Sequence, residues 1–168
     1  MSGDTISLRT ARPDDMKRLS ALIAHSYSTL YADWYPPEVL AAALPKISDA
    51  NPRLLESDTY FVAEEDGKPI GCGGWSMEAP GNRENAARTG HIRHVAVHPD
   101  HLRKGVGRMI MQRVFETATA AGIERLECLS SLQAEAFYAK LGFRKKGTVD
   151  IPFGAVTFAS IDMERPLN

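Results

Sequence analysis

Hydrophobic positions in this chain repeat with two periods, and the changes of period mark its elements. Ile6 and Leu8 alternate with polar neighbours up to Thr10, as in a half-buried strand. Leu19, Leu22, Ile23, Tyr27 and Leu30 then recur at helical spacing, behind a Pro13-Asp14-Asp15 opening suited to a first helical turn. Pro36-Pro37 ends the aromatic run Tyr31–Tyr35 and starts a second, shorter helix through Leu44. Residues 51–58 show neither period clearly. Thr59–Glu64 and Pro69–Met77 read as a hairpin turning at Asp66-Gly67, with Gly71, Gly73 and Gly74 suggesting a bulge or a close backbone approach in its second arm.

Past a polar loop, Thr89–Val97 is a fourth strand stopped by His98-Pro99. Val106, Met109, Ile110, Val114 and Ala118 form an amphipathic helix ending at Gly122. A fifth strand spans Glu124–Ser130, a helix Gln133–Leu141, and an antiparallel pair Phe143–Val149 and Val156–Met163. The order β-α-α-β-β-β-α-β-α-β-β predicts an α/β class, mixed α+β, single-domain fold over residues 1–168. Its centre is a mixed, mostly antiparallel sheet flanked by helices.

Composition narrows the class. At 168 residues, 43% apolar and 24% charged, the chain is ordinary globular protein, long enough to bury a real core. Twenty Lys+Arg against twenty-one Asp+Glu leave a net charge of −1, so no global field draws it to nucleic acid or anionic membrane. Cys72 and Cys128 are too few for a disulfide framework or a cysteine zinc site and read as buried thiols. No apolar run can span a bilayer, and residues 1–15 lack a secretory h-region, which points to the cytoplasm.

The sharpest local signal is the stretch Val95 to Arg108, VAVHPDHLRKGVGR. A strand ends, a short turn follows, and Gly105 and Gly107 open a helix flanked by Arg103, Lys104 and Arg108. Amide groups at a helix start lack intrahelical partners and the dipole there is positive, so the segment can cradle a pyrophosphate. Neither a P-loop nor a G-x-G-x-x-G motif fits, because Ile110 stands where a third glycine would.

Here the chain resembles the GCN5-related N-acetyltransferase (GNAT) family, whose [QR]-x-x-G-x-[GA] loop holds the pyrophosphate of coenzyme A. Leu102-Arg103-Lys104-Gly105-Val106-Gly107 matches it except at Leu102, where the family has Gln or Arg. A second match, Ala134 to Phe143, is similar to the family's A-x-x-F-Y-x-x-x-G-F signature, with Ser131 where the family often has an Asn touching the pantetheine arm. The resemblance implies acyl transfer from acetyl-CoA as co-substrate to an amine of a small molecule or peptide. It implies cofactor contacts at Val95, Ala96, Val97, Arg103, Lys104, Gly105, Val106, Gly107, Arg108 and Ser131, with the Val97 N–H as oxyanion donor. It also makes a homodimer an expectation, with Val156–Met163 as the strand to mediate it.

Such chemistry needs a base for the ammonium, a donor for the carbonyl oxygen and an acid for the thiolate. Tyr138 is the acid candidate. His91 falls where the family places a base, and strand parity sets it beside Arg93, Val95 and Val97, with Ile92, His94 and Ala96 opposite. A buried, backbone-bonded histidine is the other reading of His91, and both stand at this point. His91 and His94 point to opposite faces and no cysteine is near, so no metal is expected. The resemblance implies an acceptor pocket at the loop after the first helix and at the third strand, which makes Tyr31, Trp34, Tyr35 and Trp75 candidates for it. A non-catalytic acyl-CoA-binding or sensor module of the same fold is the competing reading, and the joint presence of Tyr138 and His91 favours the enzyme.

Overall fold

A computed structural model describes residues 5–80 and 85–167. Among the described residues, seven strands form one sheet in the order β1-β2-β3-β4-β5-β7-β6. They are β1 (Ile6–Thr10), β2 (Tyr60–Glu65), β3 (Lys68–Ser76), β4 (Thr89–Val97), β5 (Arg125–Ser131), β6 (Arg144–Phe153) and β7 (Val156–Pro166). Every adjacent pair is antiparallel except β4 and β5. A parallel pair needs a crossover, and α4 (Val106–Ala120) supplies it.

The first helix begins with a 3-10 turn at Pro13–Asp15 and continues as α1 (Met16–Leu30). Asp15 is buried there on the Arg9 guanidinium, which forks onto both its oxygens at 2.8 Å. The hydrogen bond from Arg9 holds the Asp15 carboxyl far below its ordinary range. α2 runs Pro37–Ile47, beyond the expected stop at Leu44, because Pro45 lies in its last turn where little helix remains to disrupt. The ambiguous stretch forms a single turn, α3 (Pro52–Leu55), capped by the Asn51 side chain accepting from the Arg53 N–H at 2.9 Å. α5 spans only Glu135–Lys140, shorter than the Gln133–Leu141 expected.

The sheet separates the core into two layers. On one face α1 packs Leu19, Leu22 and Ile23 against Val62, Cys72 and Ala96. On the other, α4 packs Met111 and Val114 against Phe61, Trp75, Ile92 and Leu126, while Val106 and Ile110 cover Ile70. Gly71 and Gly73 make room for α4: a Cβ on Gly71 would come within 2.5 Å of Val106, and one on Gly73 within 3.1 Å of Ile110. Both cysteines are free and buried. β7 is hydrogen-bonded to β5 on one edge and β6 on the other. Both its backbone edges are therefore occupied, and the edge strand on that side is β6.

Candidate active site

Two irregularities of β4 create the site. The first is a bulge. Cys72 pairs with Ala96 while Gly74 pairs with Arg93, so Gly73 alone faces both His94 and Val95. His94 takes φ +45°, and its carbonyl accepts the Tyr60 hydroxyl at 2.6 Å. The extra residue reverses the alternation that follows. Ile92 packs with Trp75 and α4, as Val97 does with Val106 and Ile110, whereas Ala96 faces α1 with Cys72. The predicted parity is thereby corrected: Val95 and Val97 do not share a face with His91, and the bulge brings His94 into the cavity wall.

The second irregularity is a parting of strands. β4 and β5 pair only from Thr89–Arg125 to His91–Glu127; beyond that they separate. A cavity of about 400 Å³ occupies the opening, walled by β4 from Ile92 to Val97, by Cys128–Ser131 of β5, by Tyr27 and Tyr31 of α1, and by Phe137 and Tyr138 of α5. The edge of β4 toward this opening has its own chemistry. His98 donates to Ile70 and Ala96 pairs with Cys72, so the peptide groups of Ala96 lie on the β3 side, and by alternation those of Val97 face the opening. The Val97 carbonyl accepts the Ser26 hydroxyl at 2.8 Å and the Val95 carbonyl the Tyr27 hydroxyl at 3.4 Å. Two consecutive α1 residues thus hold the carbonyls that β5 leaves unpaired, and the amide N–H groups point into the space. Ser26 is the residue that sequence reasoning missed. A polar residue inside an apolar helical stripe was the available signal.

At the far end of the opening the chain makes a 3-10 turn, Pro99–His101, and enters α4 through Arg103 (φ +64°) and Gly105 (φ +80°). The first helical bond is Met109 N–H to the Gly105 carbonyl at 2.9 Å, which leaves the amides ahead of it directed outward. Gly105 permits the left-handed turn, with nothing within 4 Å of the Cβ position. Gly107 serves contact: a Cβ there would stand 2.9 Å from the Phe137 ring. Arg103 lines the cavity, while Lys104 and Arg108 are exposed beside the helix start. Val106 is buried against Ile110.

Tyr138 lines the cavity and is almost wholly buried. Burial holds its phenol well above the ordinary value of 10, with Cys128, Tyr27 and Tyr31 adding to the effect. Burial likewise pushes the Cys128 thiol up to about 12. Tyr31 stacks on Tyr27 at 4.8 Å and lines the cavity near Ser131. His91 is buried below the opening, Nδ1 4.0 Å from a Glu127 oxygen, and is not among the lining residues.

The aromatic candidates divide. Tyr35 is structural: its hydroxyl donates to Ala159 at 2.7 Å and accepts from the Leu132 N–H at 2.8 Å, and its ring stacks on Phe158. Trp75 is a core residue, 3% exposed, with its indole N–H on Thr117 at 2.9 Å, so burial removes it from the acceptor pocket where it was expected. Trp34 is 53% exposed and lies outside the cavity wall. Among the described residues, no cluster of three or more His, Cys, Asp or Glu is arranged to hold a metal, and no helix is long and apolar enough to cross a membrane.

A parted parallel pair with a donor-rich helix start at one end is the arrangement that comparison with known proteins assigns to a family. The model of the Acetyltransferase (GNAT) family matches residues 23–143, and the chain belongs to that family. It is 26% identical over 179 residues to an aminoglycoside N(6')-acetyltransferase type 1 of Klebsiella pneumoniae, covering 94% of this chain and 83% of the relative. It is 30% identical over 111 residues to an IAA acetyltransferase of Azospirillum brasilense, covering 64% and 67%. The fold is shared with a GCN5-related N-acetyltransferase from Rhodopseudomonas palustris (TM-score 0.79, 24% identity, 99% and 98% covered). It is shared also with PaiA N-acetyltransferase from Thermoplasma acidophilum, solved in complex with coenzyme A (TM-score 0.72, 17% identity, 96% and 99% covered).

Proposed function

We propose that this protein transfers the acetyl group of acetyl-CoA directly to a primary amine of a small molecule or peptide. The observation that carries the reading is the separation of β4 from β5 past His91 and Glu127. It exposes a row of strand amides that leads to the helix start at Gly105. An extended, amide-bearing arm ending in phosphates would meet these donors in turn. The outward amides at residues 105–108, with Arg103, Lys104 and Arg108, take the pyrophosphate. The N–H groups of Val95 and Val97 take carbonyl oxygens of the arm and of the thioester. Ala96 and Val106 contribute through side-chain packing, and Ser131 lies along the arm.

Tyr138 keeps its proton at neutral pH and delivers it to the departing thiolate. His91, with Glu127 beside it, draws a proton from the incoming ammonium through water. Tyr31 forms part of the wall that the acceptor meets, and the exposed Trp34 follows it in the turn after α1. The relatives named for aminoglycoside and IAA acetylation differ in acceptor, so the reading stays at the level of the amine.

Calorimetric titration with acetyl-CoA tests the reading, beside a variant carrying Gly105→Val and Gly107→Leu. Binding to the native chain that is lost in the variant, followed by thiol release with amines, is the expected result. Absence of binding to the native chain would overturn it.

A further inference from the structure

The bulge in β4 sets one histidine into the cavity wall that the mechanism above does not use. We propose that His94 is a catalytic residue whose neutral imidazole donates a hydrogen bond from Nε2–H to the carbonyl oxygen of the bound acyl group, beside the strand amides; this rests on the acetyltransferase reading above.

A φ of +45° is uncommon for a residue with a Cβ and persists where the surroundings dictate it. Here they do so through the Tyr60 hydroxyl on the His94 carbonyl, at 2.6 Å. A bulge re-aims the side chain it carries, and His94 is the one histidine among the residues that line the cavity. It immediately precedes Val95, whose peptide carbonyl is already held by Tyr27 on the side of the opening.

The ring's protonation state follows from its surroundings. Nδ1 is buried and has no hydrogen-bond partner. An orphaned N–H is rarer in proteins than an orphaned lone pair, which places the hydrogen on Nε2. Burial, with the neighbouring Arg93 guanidinium acting in the same sense, pushes the imidazole pKa down to about 4. His94 is therefore neutral at physiological pH. It is a weak base but a fixed donor, which suits an oxygen that gains charge only while the reaction proceeds.

The roles of the two strand histidines then separate. The amine lone pair forms the C–N bond, electron density passes onto the carbonyl oxygen and returns, and the C–S bond breaks. One ammonium proton leaves to water by way of His91. A second replaces the proton that Tyr138 gives to the thiolate. His94 keeps its proton throughout, and its contribution is the hydrogen bond to the oxygen.

The test uses the full chain with ¹⁵N-labelled histidine, its imidazole signals assigned with His94→Asn and His91→Gln. The probes are CoA and a non-transferable ketone analogue of acetyl-CoA with a methylene between sulfur and carbonyl. We expect the His94 Nε2–H signal to move with the ketone and to stay in place with CoA. We also expect His94→Phe to lower kcat roughly 100-fold with little change in the KM for acetyl-CoA. His94→Asn, which tolerates positive φ and retains an N–H donor, should recover part of that loss. Equal shifts with both ligands, or an undiminished kcat in folded His94→Phe, would overturn the assignment while leaving acetyl transfer intact. Failure of the native chain to bind either probe would overturn both readings together.

Discussion

The two ends of β4 lie in one strand and behave as different structures. From Thr89 to His91 it is bonded to β5, and all three residues are buried. From Ile92 to Val97 it keeps β3 but loses β5, and its open carbonyls turn to Ser26 and Tyr27 of α1 instead. Each stretch carries one histidine, so that residue does not separate them. Their neighbours do. The first half completes the sheet, and the second becomes a surface of amide donors because a partner strand is withheld. An unpaired edge of this kind would ordinarily invite another strand, and α1 occupies its carbonyls while the cavity wall encloses the rest.

The sharpest way to break this comparison is Tyr138→Phe, which removes the proposed proton donor from the open half alone. kcat should fall about 1,000-fold while acetyl-CoA affinity in calorimetry stays unchanged. Because burial raises the Tyr138 pKa well above 10, the native enzyme should show no alkaline loss of kcat from this group up to pH 10. An ordinary phenol would already be half deprotonated there.

Next comes the helix start. Gly105→Val with Gly107→Leu strains a left-handed turn and drives a side chain into Phe137, so acetyl-CoA binding should weaken about 100-fold. In the paired half the effect should be of another kind. Gly90→Val sets a Cβ 3.0 Å from Leu126 and 3.2 Å from Trp75, costing about 2 kcal/mol of stability in urea unfolding while kcat per folded molecule is kept. The smallest effect is expected from Ser26→Ala, which strips the Val97 carbonyl of one partner. About 1 kcal/mol should be lost, seen as a lower urea midpoint at constant slope.

What could be read from the chain alone follows the same division. The regular elements were legible, since apolar period and turn residues report local preferences, and the helix start at Gly105 announced itself by its glycines and cations. The bulge was not legible in the same way. Its position is fixed by the Tyr60 hydroxyl from β2 and by the room at Gly73, partners remote in sequence, and one added residue exchanges the faces of all that follow. Trp75 looked like a candidate for ligand contact because an indole serves core and pocket equally well. Thr117, a whole helix away, decides the matter. The extra turn of α2 past Leu44 and the shortening of α5 are end effects, set by packing against β7 and β5.

The crossover through α4 has a consequence in time as well as in space. The cavity draws on residues from Ser26 to Tyr138, and its two walls face one another only after β5 has returned alongside β4. Such a long-range parallel pairing closes late, after local helices and hairpins have formed. A ligand that recognises the finished opening therefore finds nothing to hold during the climb to the folding barrier. Acetyl-CoA should leave the refolding rate untouched and lengthen the lifetime of the folded chain, appearing wholly in the unfolding arm of the chevron.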